Sequence, residues 1–228
     1  MKKGKIIFLN GVTSSGKTTI AKEIQKTAAE NFYYVSNDVF FDLESKIYNH
    51  RFYADDTGAY MAEAVVLMYH FAKTLAEQGT NVVIDGMFYE ADEYVEKYGK
   101  TNYDSMRDIL SGLAVLMVEV YCPLDECRRR NIARGDRGEN QSEEQQEIMN
   151  KMIRYDFRVD TSMNSAEECA AQILSEFYTR VDGRVPREVD AILRDVSETE
   201  KAIENGTAIV YSTPDELFTA WDKEDECE

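Results

Sequence analysis

The chain contains, between residues 11 and 18, the stretch Gly11-Val12-Thr13-Ser14-Ser15-Gly16-Lys17-Thr18. It matches the pattern G-x-x-x-x-G-K-S/T, in which a glycine-rich loop surrounds the phosphates of a nucleotide. The apolar run Lys5–Asn10 comes directly before it, and a run of helical period, Lys17–Glu30, begins at its end. A strand, this loop and a helix in that order are the context that the pattern requires. The stretch therefore predicts a P-loop.

The residue types of this loop suit phosphate binding. Gly11 and Gly16 let backbone amides turn towards an anion, and the start of the following helix adds partial positive charge. Lys17 supplies a full positive charge, and the hydroxyl of Thr18 is an oxygen ligand for Mg²⁺. We therefore expect ATP to contact Gly11, Val12, Thr13, Ser14, Ser15, Gly16, Lys17, Thr18 and Thr19. The alternative is a glycine turn that only joins a strand to a helix.

Apolar runs bounded by Gly, Asn or Asp alternate along the chain with longer stretches of helical period. This alternation is typical of a parallel sheet covered by helices. The strand candidates are Lys5–Asn10, Tyr33–Ser36, Asn81–Asp85, Leu113–Cys122 and Phe157–Asp160. The helix candidates are Lys17–Glu30, Ala59–Gln78, Pro123–Arg134, Ser142–Ile153 and Ser165–Thr179. We predict an α/β fold of three layers, with a central parallel five-stranded sheet and helices on both faces.

The pattern changes near residue 182, so we divide the chain into a P-loop domain at residues 1–181 and an acidic C-terminal α/β extension at residues 182–228. More than half of the negative net charge lies beyond residue 181. The periodicity of the extension predicts a helix over Arg187–Asn205, a short strand over Ala208–Tyr211 and a short helix that ends near Trp221.

The composition narrows the class of protein. A formal net charge of −17 repels the phosphates of a polynucleotide, which argues against nucleic acid as a partner. The N-terminal apolar run is too short for a signal peptide, and no run approaches the ~20 residues of a membrane-spanning helix. The 4 cysteines include no C-x-x-C pair, which argues against a zinc cluster or a disulfide framework. We expect a cytoplasmic protein without a membrane partner, and both a monomer and a homo-oligomer remain open.

Two carboxylates follow predicted strands, where ligands bind in such sheets. Asp38 can accept the proton of an attacking hydroxyl there, and its alternative role is the N-cap of a helix that begins near Val39. Asp85 can hold water on Mg²⁺ together with Thr18, and its alternative is an ordinary strand-ending turn. The guanine-reading motif N-K-x-D and the transporter motif L-S-G-G-Q are both absent from the sequence. What remains is the arrangement of a small kinase.

Arginines are concentrated in one short segment of this acidic chain, at Arg128, Arg129, Arg130, Arg134 and Arg137. Arg130 and Arg134 share a helix face, and Gly135 and Gly138 form a hinge around Arg137. Arginine stays charged and binds phosphate oxygens through two donors at once. We predict an arginine-rich lid in which Arg134 and Arg137 are catalytic and Arg130 contacts the nucleotide. The alternative, a solvated face paired with glutamates, fits Arg128 and Arg129 better.

Several ordered motifs accompany Asp38, namely Ile7-Phe8-Leu9-Asn10-Gly11, Ile84-Asp85-Gly86-Met87-Phe88, Val118-Glu119-Val120-Tyr121-Cys122, Ala133-Arg134-Gly135-Asp136-Arg137 and Tyr155-Asp156-Phe157-Arg158-Val159-Asp160-Thr161. Together, from Lys5 to Phe177, they resemble the chloramphenicol phosphotransferase family of P-loop kinases. The resemblance implies the fold of shikimate kinase and nucleoside-monophosphate kinases, with ATP as donor. It also implies that Asp38 is the base and that the arginine segment is the lid.

The chain departs from that family at two places. The stretch Tyr89–Ser111 is longer than in the antibiotic-modifying enzyme, and the extension from Asp182 is an additional element. Chloramphenicol is therefore not a safe assignment for the acceptor. Four tyrosines in or near this stretch either line the acceptor pocket or pack in the core: Tyr89, Tyr94, Tyr98 and Tyr103.

These observations predict phosphorylation of a hydroxyl group on a small molecule, with ATP and Mg²⁺. A second hypothesis is a kinase that acts on a nucleotide or a nucleotide-sugar. A third is a nucleotide-binding regulatory module that acts through the acidic extension.

Overall fold

The first strand, β1 (Ile6–Asn10), lies at the centre of the fold, and each of its five residues is buried. A computed structural model describes residues 2–42, 57–89, 92–149 and 151–180. In these residues the remaining strands are β2 (Phe32–Ser36), β3 (Asn81–Gly86), β4 (Val115–Tyr121) and β5 (Phe157–Asp160). They form one five-stranded sheet in the order β2-β3-β1-β4-β5.

Every neighbouring pair of strands in this sheet is parallel. The register sets Asn10 opposite Gly86 of β3 and Glu119 of β4, and it sets Ser36 opposite Asp85. Because the strands run in one direction, their carboxyl ends meet at one edge of the sheet, where such folds bind ligands.

Helices connect the strands. Their bounds are α1 (Lys17–Thr27), α2 (Asn37–Asp42), α3 (Thr57–Glu77), α4 (Asp92–Tyr98), α5 (Asn102–Ile109), α6 (Leu124–Arg134), α7 (Gln141–Ile148) and α8 (Ala166–Arg180). Within the described part of the chain, no helix combines the length and the apolar character needed to cross a membrane.

The hydrophobic core has two parts, one on each face of the sheet. Alternate residues of β1 point to opposite faces. Ile7 packs on the side of α1 and α8, where Ile173 is fully buried. Phe8 packs on the side of α3 and α5, where Met68 is fully buried. The predicted three-layer α/β arrangement with a parallel five-stranded sheet is confirmed.

Two helices end earlier than their sequence periodicity predicts. Helix α1 ends at Thr27 instead of Glu30, because Ala28 has an extended backbone. Helix α7 ends at Ile148 instead of Ile153, because Met149 is extended and pairs with Tyr89 in an isolated antiparallel bridge.

The short helices α4 and α5 were not predicted, and α2 was expected only in the alternative interpretation of Asp38 as an N-cap. Each has 8 residues or fewer, too few for a clear helical period. The predicted C-terminal extension and its elements lie outside the described residues.

Candidate active site

The loop between β1 and α1 has an unusual backbone at two positions. Ser14 has a φ of 56° and Gly16 a φ of 102°, a left-handed region that glycine adopts without steric cost. Gly11 is required for another reason, since an added Cβ would lie 2.5 Å from the carbonyl oxygen of Val120. The loop thus passes close to β4 and leads into α1, whose first amides lack partners within the helix. This geometry suits an anion.

The side chain of Lys17 folds back over its own loop. Its Nζ donates to the carbonyl oxygens of Gly11 at 2.8 Å and Val12 at 2.9 Å, and it lies 3.9 Å from Oδ1 of Asp85. Burial lowers the pKa of Lys17, while the charges of Asp85 and Asp38 counteract this shift. The cation is therefore held beside the loop by neutral oxygen atoms, which a phosphate group can replace.

Asp85 is the buried carboxylate of the site. Its Oδ2 accepts hydrogen bonds from Oγ1 of Thr18 at 2.6 Å and from the hydroxyl of Tyr34 at 3.1 Å. Mg²⁺ prefers oxygen ligands and is usually bound by one or two protein groups together with water and substrate phosphates. The hydroxyl of Thr18 and the carboxylate of Asp85 fit such a shared ion. Among the described residues, no group of three or more His, Cys, Asp or Glu side chains could hold a metal by itself.

Asp38 lies in the first turn of α2, directly beyond β2, and its side chain is 68% exposed. Its Oδ2 accepts a hydrogen bond from Nη2 of Arg137 at 3.1 Å. The capping role belongs to Ser36, whose Oγ accepts from the amide of Val39 at 3.3 Å. Asp38 is therefore not required as a cap, and its carboxylate lines the pocket beside Arg137.

Arg130 anchors helix α6 to the phosphate-binding loop. Its Nη1 donates to the carbonyl oxygen of Ser14 at 3.3 Å and to Oγ1 of Thr161 at 3.0 Å, and its Nη2 donates to the carbonyl oxygen of Thr161 at 2.8 Å. The hydroxyl of Thr161, just beyond β5, also approaches the carbonyl oxygen of Ser15 at 2.8 Å. Arg130 thus supports the loop as well as lining the pocket.

Arg134 and Arg137 have partners of a different kind. Arg134 pairs with the exposed carboxylate of Asp136, and Arg137 pairs with Asp38. A phosphate group can replace one exposed carboxylate more readily than the set of bonds that joins Arg130 to Ser14 and Thr161. Glutamates pair with the remaining arginines of the segment, as the sequence indicates for Arg128 and Arg129: Glu139 pairs with Arg128, and Glu126 pairs with both Arg129 and Arg130.

Helix α7 forms a second anchor on the loop. The amide of Thr13 donates to Oε1 of Gln145 at 2.5 Å, and the carbonyl oxygen of Thr13 accepts from Oγ of Ser142 at 3.2 Å. Asn131 of α6 donates to the same Oγ at 2.9 Å. Both main-chain groups of Thr13 are therefore held by one helix, which also begins just after the loop that carries Arg137.

These groups line one pocket of about 600 Å³ at the carboxyl ends of the strands. The predicted residues on its wall are Gly11, Thr13, Ser14, Gly16, Lys17, Thr18, Thr19, Asp38, Asp85, Arg130, Arg134 and Arg137. Val12 and Ser15 are buried and lie outside this lining.

The pocket lining also contains aromatic and apolar side chains, from Phe41, Met87 and Tyr89. Tyr94 is fully buried and Tyr103 is 8% exposed, and neither of these two nor Tyr98 belongs to the lining. Of the four tyrosines, the structure therefore places Tyr89 at the pocket.

Sequence reasoning missed three residues at this site. The contact of Tyr34 with Asp85 depends on the pairing of β2 with β3, and the contact of Gln145 with Thr13 depends on how α7 packs. Thr161 is different, because it ends a motif quoted above, Tyr155–Thr161. That motif gave a signal for the position of Thr161, although it gave none for its contact with Arg130.

Comparison with known proteins gives a consistent result. Residues 4–178 match the family model described as chloramphenicol phosphotransferase-like protein. A Mycobacterium tuberculosis protein with the provisional name O-phosphotransferase is 26% identical over 193 residues, which cover 76% of this chain and 82% of the relative.

Solved structures of P-loop kinases share the fold. The APS kinase CysC of Mycobacterium tuberculosis, in complex with AMPPNP and APS, has a TM-score of 0.57 at 19% identity and covers 78% of this chain and 99% of its own. Shikimate kinase from Acinetobacter baumannii, in complex with shikimate, has a TM-score of 0.55 at 13% identity, with coverages of 79% and 96%.

Proposed function

The chain belongs to the chloramphenicol phosphotransferase-like family, and on that premise we propose that it transfers the γ-phosphate of ATP to a hydroxyl group of a small molecule. The family and the fold are those of a P-loop kinase. One observation carries the proposal for this chain. Lys17, Asp85 and Asp38 come from three different segments and line a single pocket, with the lid arginines beside them.

The acceptor chemistry rests on Asp38. An acceptor hydroxyl beside this carboxylate gives up its proton while its oxygen forms a bond to phosphorus and the bond to the leaving diphosphate breaks. The residue is well exposed, so a substrate can reach it. Arg137 pairs with Asp38 in the present structure, and movement of this arginine towards phosphate would free the base.

The donor chemistry rests on the loop and the buried carboxylate. Lys17 and the loop amides would bind the phosphates, and Thr18 and Asp85 would hold Mg²⁺. When bound, the ion supplies positive charge that offsets the negative charge of the phosphates during transfer. When the lid closes, Arg134 and Arg137 would place positive charge beside the phosphoryl group that is being transferred.

We expect the purified protein to consume ATP in the presence of Mg²⁺ and one member of a panel of hydroxylated metabolites and antibiotics. Asp38→Asn keeps the size of the side chain but cannot act as the base, so turnover should fall by about 10² or more. Asp125→Asn, at an exposed position in the first turn of α6, is the matched control and should retain activity.

The same panel separates the alternatives. It should include nucleoside monophosphates and nucleotide-sugars, because turnover with one of them would replace our proposal by the nucleotide kinase. Tight ATP binding without turnover of any acceptor would favour the regulatory module. Equal activity of Asp38→Asn and the unchanged chain would exclude Asp38 as the base.

A further inference from the structure

Tyr34 approaches the site from the middle of a strand. The register of β2 and β3 sets Tyr34 opposite Val83 and Ser36 opposite Asp85. Tyr34 and Asp85 are therefore diagonal neighbours on one face of the sheet, a separation that an aromatic side chain can bridge. The hydroxyl of Tyr34 donates to Oδ2 of Asp85 at 3.1 Å, and the ring packs against the core on the side of α1.

Two hydrogen bonds to one oxygen atom orient the carboxylate of Asp85, and the cation of Lys17 lies near the other oxygen. Oδ2 accepts from Thr18 and Tyr34, while Oδ1 lies 3.9 Å from Nζ of Lys17. Thr18 and Lys17 both belong to the P-loop, so their positions are expected to respond to a nucleotide. Tyr34 belongs to the sheet, and its hydrogen bond does not depend on the loop. Among the three groups that contact Asp85, Tyr34 is thus the one whose position we expect to be independent of the nucleotide.

We propose that Tyr34 is a positioning residue for magnesium, which orients the carboxylate of Asp85 so that the Mg²⁺–nucleotide complex binds. This inference rests on the proposed function, because it assigns Asp85 to the metal. A carboxylate that acts on a metal or on its water ligands must point in a defined direction, and hydrogen-bond partners behind such groups set that direction. Thr18 is less suited to orienting Asp85, since its own hydroxyl oxygen is a candidate ligand of the metal.

The test is Tyr34→Phe, which removes one hydroxyl and keeps the ring that packs in the core. Binding of the non-hydrolysable analogue AMPPNP is measured by calorimetry in EDTA and at a series of Mg²⁺ concentrations. We expect unchanged affinity in EDTA and a Mg²⁺ requirement that is about tenfold higher, the lower end of the range for partners of metal-binding groups. Tyr33→Phe is the matched control, because Tyr33 is the preceding residue and is 56% exposed.

A double-mutant cycle shows whether Tyr34 acts through Asp85. Asp85→Asn should abolish most of the gain in AMPPNP affinity that Mg²⁺ produces. Adding Tyr34→Phe to Asp85→Asn should cause no further loss of affinity. Additive losses would contradict the inference, as would an unchanged Mg²⁺ requirement or an equal loss of affinity in EDTA.

The outcomes also distinguish this inference from the proposed function. If the unchanged chain gains no affinity from Mg²⁺, both the metal assignment and the role of Tyr34 fail. If the unchanged chain responds to Mg²⁺ and Tyr34→Phe responds equally, only the role of Tyr34 fails. Urea unfolding of each variant confirms that the comparison is made between folded proteins.

Discussion

At the scale of single residues, the cations of the site differ in what holds them. Lys17 is bonded to carbonyl groups of its own loop and Arg137 to the exposed carboxylate of Asp38, whereas Arg130 is bonded to Ser14 and Thr161 of two other segments and to Glu126 of its own helix. A single exposed partner that a phosphate can replace indicates a mobile role, and several bonds that join separate segments indicate a supporting one. We therefore expect Arg137 and Arg130 to make different contributions, although both line the pocket.

Replacement of Arg137 tests this distinction. We expect Arg137→Met to lower kcat by about 10³, as the loss of an arginine that stabilises transferring phosphate does, while the affinity for ATP changes only a few-fold. The affinity is less sensitive because Arg137 must first leave Asp38 in order to bind phosphate. Steady-state kinetics and calorimetry measure the two effects separately. Arg128→Met, on the solvated face of α6, is the control, and equal losses of turnover and affinity would refute the lid role.

The residues that the sequence predicts at the site are those that follow general rules. Lys17 and Thr18 belong to a motif with a single structural solution, and Asp38 and Asp85 follow strands whose ends must meet in a parallel sheet. The structure places all four around one pocket. Tyr34 could not be predicted, because a residue in the middle of a strand reaches the site only through the register with its neighbour.

At the scale of elements, the loop between α6 and α7, which carries Arg137, is anchored at both of its ends. Arg130 ties α6 to Ser14 and Thr161, and α7 holds Thr13 through Ser142 and Gln145. The segment between Arg134 and Gln141 joins these two anchored helices. Movement of Arg137 is therefore expected to come from this segment, without movement of α6 and α7 as a unit.

The anchor on α7 can be tested with neighbouring glutamines. Gln145→Met is close in size but cannot accept the hydrogen bond from the amide of Thr13, which should cost about 1 kcal/mol. We expect a fall of that size in the free energy of unfolding and a loss of nucleotide affinity of up to about fivefold, the factor that corresponds to ~1 kcal/mol. Urea unfolding and calorimetry measure these quantities. Gln146→Met on the exposed side of the same helix is the control, and identical behaviour of the two variants would disprove the anchor.

One unpredicted element did carry a signal in the sequence. Thr101 is the N-cap of α5, its side chain accepts from the amide of Asp104, and the two side chains are themselves hydrogen-bonded. The spacing of Thr101 and Asp104 is that of a capping box with Asp in place of Glu. The pattern was missed because the helix that follows is only 8 residues long.

At the scale of the whole molecule, buried thiols make the stability of the folded protein depend on pH. Burial raises the pKa of Cys127 from 9.0 to about 12 and that of Cys169 from 9.0 to about 11. A group with a raised pKa in the folded state contributes stability below its unfolded pKa, and this stability is lost as the pH rises towards the folded value. The thiols therefore favour the folded state at neutral pH and lose that contribution above pH 9.

Urea unfolding between pH 8 and pH 10 tests this relation. We expect the free energy of unfolding to fall by about 1 kcal/mol for each of the two thiols over this range. The double variant Cys127→Ala/Cys169→Ala should be less stable at pH 8, because it leaves small cavities, but should show a smaller decrease with pH. A decrease as steep as that of the unchanged chain would show that other groups are responsible.

The order of the strands has a consequence for folding during synthesis on the ribosome. Strand β1 and its loop are synthesised before β3 and β4, yet Ile6 pairs with Val82 on one side and Val115 on the other. Parallel strands so distant along the chain associate slowly, and on the ribosome they cannot associate before the later strand has emerged. A nascent chain therefore carries a complete phosphate-binding motif long before it can bind a phosphate. Premature termination anywhere before β4 leaves that motif without the sheet that gives it its shape.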